Sequence, residues 1–429
     1  MNQIQVAIQL DQLIQSGPTI FVKLEPEIVD FTQNASFDLV CLSKNTDFRI
    51  EINNENCMEV LSLIKTALFE DKKLSIIGWN LKNLFTYILV NTGDGLEFES
   101  KLVDLKLGEC FIGIRERAPA NFAEMVIRLK RLFGDSSWSK FKSIYQKVYL
   151  PLLSRVIPEI EAEGVFDTEK RRILFPYYEI EGQTGGRLST QLAYNNCFNP
   201  HSLSEEERAK LQPKGSDLVF LSFDYHFHEV CILAWLSQDD ILVKLVSEEG
   251  DFYRKLYFQL TGNECDSDTK RSFCKDYLFL PVVYGQSAKT LADRAKLDVG
   301  KAEDLIGLLK STFPKLFTWI ENHVPENGVY VDYVGRKRQL AAGEEYKYRN
   351  FIIQSPGAIF CLEKLVCLRE ELKDYGRIVA HIHDGYVVRT SEKQAEMTRL
   401  VCLKALEAES GIFPGLKLRT NCKISKTLA

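Results

Sequence analysis

Two aspartates stand where a rigid scaffold can hold an acid in place. Asp224 follows the apolar run at 218–223 (LVFLSF), and Asp384 sits at a turn between two apolar runs, RIVAHI at 377–382 and YVVRT at 386–390. Taken singly, either one reads as an ordinary turn former. Taken together, two carboxylates can hold a pair of Mg²⁺ ions about 3.5–4 Å apart, an arrangement that stabilises both the attacking and the leaving oxygen in phosphoryl transfer. Hard oxygen ligands suit Mg²⁺, which keeps several waters and accepts substrate phosphates as further ligands. The two acids are 160 residues apart, so whether they meet depends on the fold.

The elements that would carry them alternate in type. Residues 18–51 interleave short β-rich runs with Asn, Asp and Gln turn clusters, which predicts consecutive strands. A helical pattern follows at 57–70, then a buried-looking strand at 74–79 and a helix at 82–90, giving an α/β unit that ends near 115. From about 120 to 163 the pattern is helical, and 183–200 is polar and turn-rich. Beyond lie a strand at 217–225, helices to about 323, a hairpin-like patch at 328–340, a helix from about 350 and a strand pair at 378–390. No glycine- or proline-rich linker divides these parts.

Composition narrows the classes. The 429 residues are 45% hydrophobic and 26% charged, which excludes a disordered or collagen-like chain and predicts two or three units. No run of about 18 apolar residues predicts a membrane span, and the N-terminus lacks the pattern of a secretory signal. The eleven cysteines include no C-x-x-C pair, so free thiols in a reducing, cytoplasmic setting are expected. The net charge of −5 resides in residues 1–115, which carry 16 acids against 10 bases, while the remainder is near neutral with basic clusters such as Arg336-Lys337-Arg338. Screening limits the reach of distant charge to about 10 Å, so a local positive groove for phosphates remains open.

Five ordered blocks over roughly 184–390 carry a resemblance. They are Thr184-Gly185-Gly186-Arg187-Leu188-Ser189-Thr190; Asp224-Tyr225-His226-Phe227-His228-Glu229 with the following ILAWLSQD; Arg271-x3-Lys275-x3-Phe279 leading to Tyr284-Gly285; Gly335-Arg336-Lys337-Arg338 leading to Asn350-x3-Gln354; and His383-Asp384-Gly385. In this order they resemble the T-G-R-L-S-S stretch, motif A, motif B, the G-R-R-R…N-x3-Q segment and motif C of the family A (bacterial polymerase I-like) DNA polymerases. The resemblance implies an α+β right-hand polymerase, with a palm built on an antiparallel sheet, helical fingers and a short helical thumb. It also implies that an α/β, ribonuclease H-like, exonuclease-like domain precedes them. The expected divisions are 1–115 for the exonuclease-like domain, 116–180 for the thumb, and 181–429 for palm and fingers, the fingers at approximately 240–325.

The resemblance also implies roles. Asp224 and Asp384 would be the catalytic metal ligands, with the backbone carbonyl of Tyr225 as a further ligand and two Mg²⁺ per site. Arg271 and Lys275, four residues apart, share a helix face that can meet dNTP phosphates, Arg in bidentate fashion and Lys as a point charge; without the neighbouring blocks they would read as a solvated basic face. Phe279 and Tyr284 would complete the nucleotide site, and Glu229 would pack under the sugar and favour deoxynucleotides. Arg187, Arg336, Arg338, Asn350, Gln354 and His383 would contact primer, template or minor groove.

Departures from the pattern carry expectations of their own. Motif B has one extra residue between Phe279 and Tyr284, and Pro281 lies within it, which predicts a kinked or broken helix. Cys231 stands where the family usually has arginine, and Gly385 replaces the glutamate of H-D-E. In the N-terminal unit, Lys23 and Glu25 stand at a D-x-E position, Leu84 at the aspartate of G-x-N-x-K-x-D, and Glu124 at a third acidic position. Lysine and leucine cannot ligate metal, so this unit reads as a degenerate exonuclease.

The resulting expectation is a template-directed DNA polymerase without proofreading and of low fidelity. It would bind primer–template DNA and dNTPs and no membrane, as a monomer with an unspecified processivity partner, in a bacterial cytoplasm and compatible with a phage or plasmid replicon. Two rivals stand beside it: a single-subunit RNA polymerase relative, against which Glu229 argues, and a non-catalytic primer–template binding protein, against which the retained aspartates and Arg271 and Lys275 argue.

Overall fold

Ile20, Phe21 and Val22 are buried in succession rather than in alternation, the pattern of a strand covered on both faces. They belong to β1 (Thr19–Glu25), the centre of a five-stranded sheet with β2 (Phe37–Leu42), β3 (Asp47–Ile52), β4 (Ser75–Gly78) and β5 (Lys101–Asp104) in the order β3-β2-β1-β4-β5. β1 to β3 pair antiparallel, and β4 and β5 join parallel to β1. Helices at Gln3–Gln15, Cys57–Ile64, Leu81–Thr92 and Leu105–Phe111 accompany the sheet. The protein's structure is a computed structural model that describes residues 3–25, 37–53, 56–92, 101–114, 116–153, 165–167, 173–174, 176–179, 188–192, 201–213, 215–324, 327–341, 343–344 and 347–428.

Helices Phe122–Gly134 and Trp138–Ile144 come next, the second running on through a π turn at Tyr145–Tyr149. Asn121 caps the first, its side chain accepting from the Glu124 N–H. Buried Arg128 pairs with buried Glu109, and Arg131 reaches the same carboxylate. The helical reading of 116–180 holds only for its first part. β6 (Val165–Asp167), β7 (Ile173–Leu174) and β8 (Pro176–Glu179) replace helix there, because β-branched and aromatic residues with a proline favour extended backbone. β8 pairs with β9 (Ser189–Leu192), and β6 with β10 (Leu211–Gln212).

The second large sheet is antiparallel throughout. β11 (Leu218–Tyr225) lies between β15 (Gly385–Ser391) and β16 (Thr420–Ser425), with β14 (Arg377–Ile382) outside β15. Helices Tyr348–Leu372 and Ala395–Leu406 pack with this sheet in one core. Helix Tyr348–Leu372 is long and apolar enough to cross a membrane by length and composition, but 89% of its apolar window is buried, which makes it a core helix here. Between β11 and the hairpin β12 (Val329–Val331) and β13 (Lys337–Gln339), a run of helices from His228 to Glu321 builds a separate apolar cluster. The cluster around Ile20, Phe21, Phe111 and Phe141 is continuous with that around Val219, Leu221, Phe360 and Leu365, so no break in packing marks residue 115. All ten cysteines among the described residues are free.

Candidate active site

β11 carries Asp224 near its end, opposite Asn421 of β16, while the preceding Phe223 pairs with Tyr386 of β15. β14 and β15 are joined by a tight turn in which Ile382 pairs with Gly385 and His383 adopts φ 58°, leaving Asp384 at the turn. The turn is tight enough to require glycine at 385. A Cβ there would lie 2.9 Å from the carbonyl oxygen of Phe223 and 3.5 Å from Asp224 Oδ1. The family's glutamate would need the two strands to move apart.

This approach brings Asp384 to Asp224. Burial first, and the facing Asp384 charge second, push the Asp224 carboxyl up to about 6, against the opposing pull of His226 and Lys275. Both acids line a cavity of about 1200 Å³. Its far wall is the helical segment that begins at Asp268, from which Arg271, Lys275 and Leu280 reach the cavity. Two facing carboxylates with the Tyr225 backbone following on the same strand form an all-oxygen donor set, which fits a hard divalent cation. The Tyr225 side chain points elsewhere, its hydroxyl donating to the Leu406 carbonyl at 3.0 Å.

Arg271 is held in place rather than free. Its Nε and a terminal nitrogen donate to Asp251 Oδ2 at 2.8 Å, and its guanidinium lies 5.7 Å from the centre of the Tyr253 ring. Asp251 does double work, since its other oxygen accepts from the Arg254 N–H at 2.9 Å and caps helix Phe252–Thr261. Glu229, in the first turn of helix His228–Ser237, lines the same cavity, as does Tyr253.

A family model for DNA polymerase family A matches residues 137–429. The chain belongs to DNA polymerase family A. It is 27% identical over 224 residues to the thermostable DNA polymerase I of Thermus aquaticus, a match covering 48% of this chain and 26% of that one. It is 25% identical over 257 residues to DNA polymerase I of Bacillus caldotenax, covering 55% and 29%. With the DNA polymerase of Mycobacterium phage D29 the figure is 23% over 198 residues, covering 45% and 32%. The matched region thus spans about a quarter to a third of the length of these curated relatives. A solved structure, the POL domain of Pol1 from M. smegmatis in complex with DNA primer-template and dNTP, superposes with a TM-score of 0.79 at 14% identity, covering 100% of this chain and 98% of that one. That likeness speaks to the fold.

Within this family member, Asp224, Asp384, Glu229, Arg271, Lys275 and His383 come together around one cavity. The other expected residues that the structure describes, Phe279, Tyr284, Arg336, Arg338, Asn350 and Gln354, do not line it. Phe279 is wholly buried in the helical cluster, 5.1 Å from the Phe252 ring centre and 5.7 Å from that of Phe313, and Leu280 takes the cavity-facing place. Arg336 is only 5% exposed, beside buried Asp332; its neighbour Arg338 is half-buried. The basic cluster suggested a surface patch, but the hairpin turn folds Arg336 inward. Tyr284 is half-buried against the helical cluster and is not among the cavity-lining residues. Asn350 is exposed in the first turn of helix Tyr348–Leu372, and Gln354 is half-buried one turn on. Arg187 lies outside the described residues.

Of the expected kink or break at Pro281, the break does not occur, and the irregularity takes the form of a π-helical stretch just before it. Residues 268–283 form one helical run, α-helical at Asp268–Ser272 and Phe279–Val283 with a π-helical stretch at Phe273–Leu278 between. Sequence reasoning also missed the contribution of β16, which adds Arg419 and Asn421 to the cavity; Asn421 Oδ1 is 2.5 Å from His226 Nε2. Its TNCKIS run is too polar to announce a strand. In the N-terminal unit, Lys23 Nζ is 2.5 Å from Glu25 Oε1 and donates to the Pro119 carbonyl at 3.1 Å, and Leu84 is buried. Glu124 Oε2 accepts from the Ala120 N–H at 2.8 Å as a helix-capping group.

Proposed function

We propose that this chain is a template-directed DNA polymerase that adds dNTPs to a primer 3′-hydroxyl with the help of Mg²⁺. The observation that carries the reading is the meeting of Asp224 and Asp384 in a cavity that Arg271 and Lys275 also line. Asp224, Asp384 and the Tyr225 carbonyl would hold two Mg²⁺ ions. When bound, such ions lower the pKa of an attacking hydroxyl and neutralise charge on departing pyrophosphate. The chain's own residues do the rest. Lys275 and Arg271 receive the triphosphate, with Asp251 presenting the guanidinium edge-on. Glu229 fills the space beneath the sugar, and His383, Asn350 and Gln354 face primer and template.

The five-stranded unit is read as a degenerate exonuclease-like domain, since an internal ammonium and a buried leucine stand where carboxylates would be needed. Without proofreading, the chain copies with low fidelity. Residues 116–180 are read as a short thumb, helical at Phe122–Gly134 and Trp138–Ile144, and 240–325 as the fingers.

Primer extension by the purified chain with Mg²⁺ tests the reading, with dNTPs and NTPs compared. Extension with dNTPs and a preference of about tenfold or more over NTPs is expected. Binding of primer–template without extension would overturn it in favour of a non-catalytic binder, and equal use of NTPs would favour an RNA polymerase. Replacing Glu229 by Ala should raise ribonucleotide incorporation about 10–100-fold relative to deoxynucleotide.

A further inference from the structure

The cavity-facing residues of the segment 268–283 have an irregular spacing: Arg271 and Lys275 are four apart, while Lys275 and Leu280 are five apart. A regular α-helical face repeats at three or four residues. A π turn, whose backbone bonds span five residues, carries one extra residue without tilting the face away. Such a turn is present where the spacing requires it, the Phe279 N–H donating to the Cys274 carbonyl. In an unbroken α-helix the residue following Lys275 into the cavity would be Phe279. Here that ring is buried with Phe252 and Phe313.

A π turn needs support, because it is less stable than the α-helix around it. Pro281 supplies part of that by having no N–H to give. In an α-helix that N–H would bond the Tyr277 carbonyl, and in a π-helix the Asp276 carbonyl. Both carbonyls are met by side chains from beyond the segment. Gln286 Nε2 donates to Tyr277 O at 2.9 Å, and Arg294 Nη2 donates to Asp276 O at 2.9 Å. The two side chains are bonded to each other, Arg294 Nη1 to Gln286 Oε1 at 2.5 Å, and the guanidinium sits 5.3 Å from the centre of the Tyr277 ring. Neither Gln286 nor Arg294 lines the cavity.

We propose that Gln286 and Arg294 form a clamp that fixes residues 273–280 in the π register, and that this register makes Leu280 the specificity-determining side chain that an incoming nucleotide meets in place of Phe279. Gln286 and Arg294 are positioning residues acting through Tyr277 and Asp276. The nucleotide part of the statement rests on the polymerase reading, whereas the register does not. The extra residue of the segment is thereby absorbed between Lys275 and Leu280, both of which line the cavity.

Two measurements on the full chain test this. The first needs no activity: maleimide labelling of Leu280→Cys and of Phe279→Cys, read by peptide mass spectrometry. Leu280→Cys should label at least about tenfold faster, and adding Gln286→Ala or Arg294→Ala should shrink that ratio severalfold. Should Phe279→Cys fail to fold, the change in Leu280→Cys labelling on removing the clamp decides alone. The second is steady-state extension. Gln286→Ala and Leu280→Ala should each raise the dNTP KM about 5–10-fold with kcat held within about twofold. Gln286→Glu keeps the acceptor for Arg294 but loses the donor to Tyr277, so it should fall between Gln286→Ala and the natural chain. Equal labelling at 279 and 280, or clamp variants that alter neither labelling nor KM, would overturn the proposal. If the natural chain extends no primer, the polymerase reading falls while the labelling still decides the register.

Discussion

Two places in the molecule bring acidic side chains to the end of a central strand, and they treat the charge in opposite ways. At the end of β1, Glu25 is paired with Lys23 and with Arg49, and the Lys23 hydrogen bond holds its carboxyl below the ordinary range. At the end of β11, Asp224 faces another acid, and burial with that neighbour holds its carboxyl up near 6. The first arrangement is complete in itself. The second places two like charges together, the electrostatic signature of a candidate binding site rather than of a structural ion pair. The same distinction separates the two basic groups: Lys23 is internal, whereas Lys275 is exposed at the cavity.

The strongest way to break this comparison is to remove one acid from each place. Asp224→Ala or Asp384→Ala should lower primer extension by about 10³-fold or more while primer–template binding is retained, since the phosphate contacts lie elsewhere. Glu25→Ala should leave the extension rate unchanged. Extension at a tenth of the natural rate in both palm variants would sink the two-metal assignment. Next in size, the natural chain should show no Mg²⁺-dependent shortening of a single-stranded oligonucleotide; shortening abolished by a substitution within residues 1–125 would show that the β1 site is not closed. Lys23→Ala should cost about 1–2 kcal/mol of stability by stranding part of the Glu25 charge, seen as a lower Tm with kcat unaltered.

The smallest effect concerns pH. The folded Asp224 titrates near 6, above its unfolded value of about 4, so ionising it between those two values costs the folded chain stability. Without divalent metal, Asp224→Asn should therefore lose about 1–2 °C less in Tm than the natural chain on going from about pH 4.5 to 7. Adding Mg²⁺ should raise the Tm of the natural chain at pH 7 and leave the variant nearly unmoved.

Much of this was legible in the sequence. β1 to β4, β11, the β12–β13 hairpin, β14 and β15 announce themselves by β-branched runs between turn residues, and the acids follow those runs directly. What stayed hidden depended on register and on long-range pairing. Phe279 and Leu280 are adjacent apolar residues, and only the π turn decides which one faces the cavity. Arg336 looks like its basic neighbours until the hairpin turns it inward beside Asp332. β16 has little apolar alternation of its own and exists because β11 offers an edge. The first helix, Gln3–Gln15, carries its buried Val6, Leu10 and Leu13 at helical spacing, a signal that the sequence does hold.

The pairing of Glu109 with Arg128 ties the history of the N-terminal unit to that of the polymerase. Arg128 is 3% exposed and Glu109 1%, and Phe111 packs 4.4 Å from Phe141 across the same seam. A shortened gene product starting after residue 115 would strip Arg128 of Glu109 and of the Trp79 ring it covers, leaving it beside Glu116 and Glu124, and would bare Phe141 to water. Deletions into the five-stranded unit would thus disturb the packing of the helices that follow it. The five-stranded unit thus serves the rest of the chain as a packing wall.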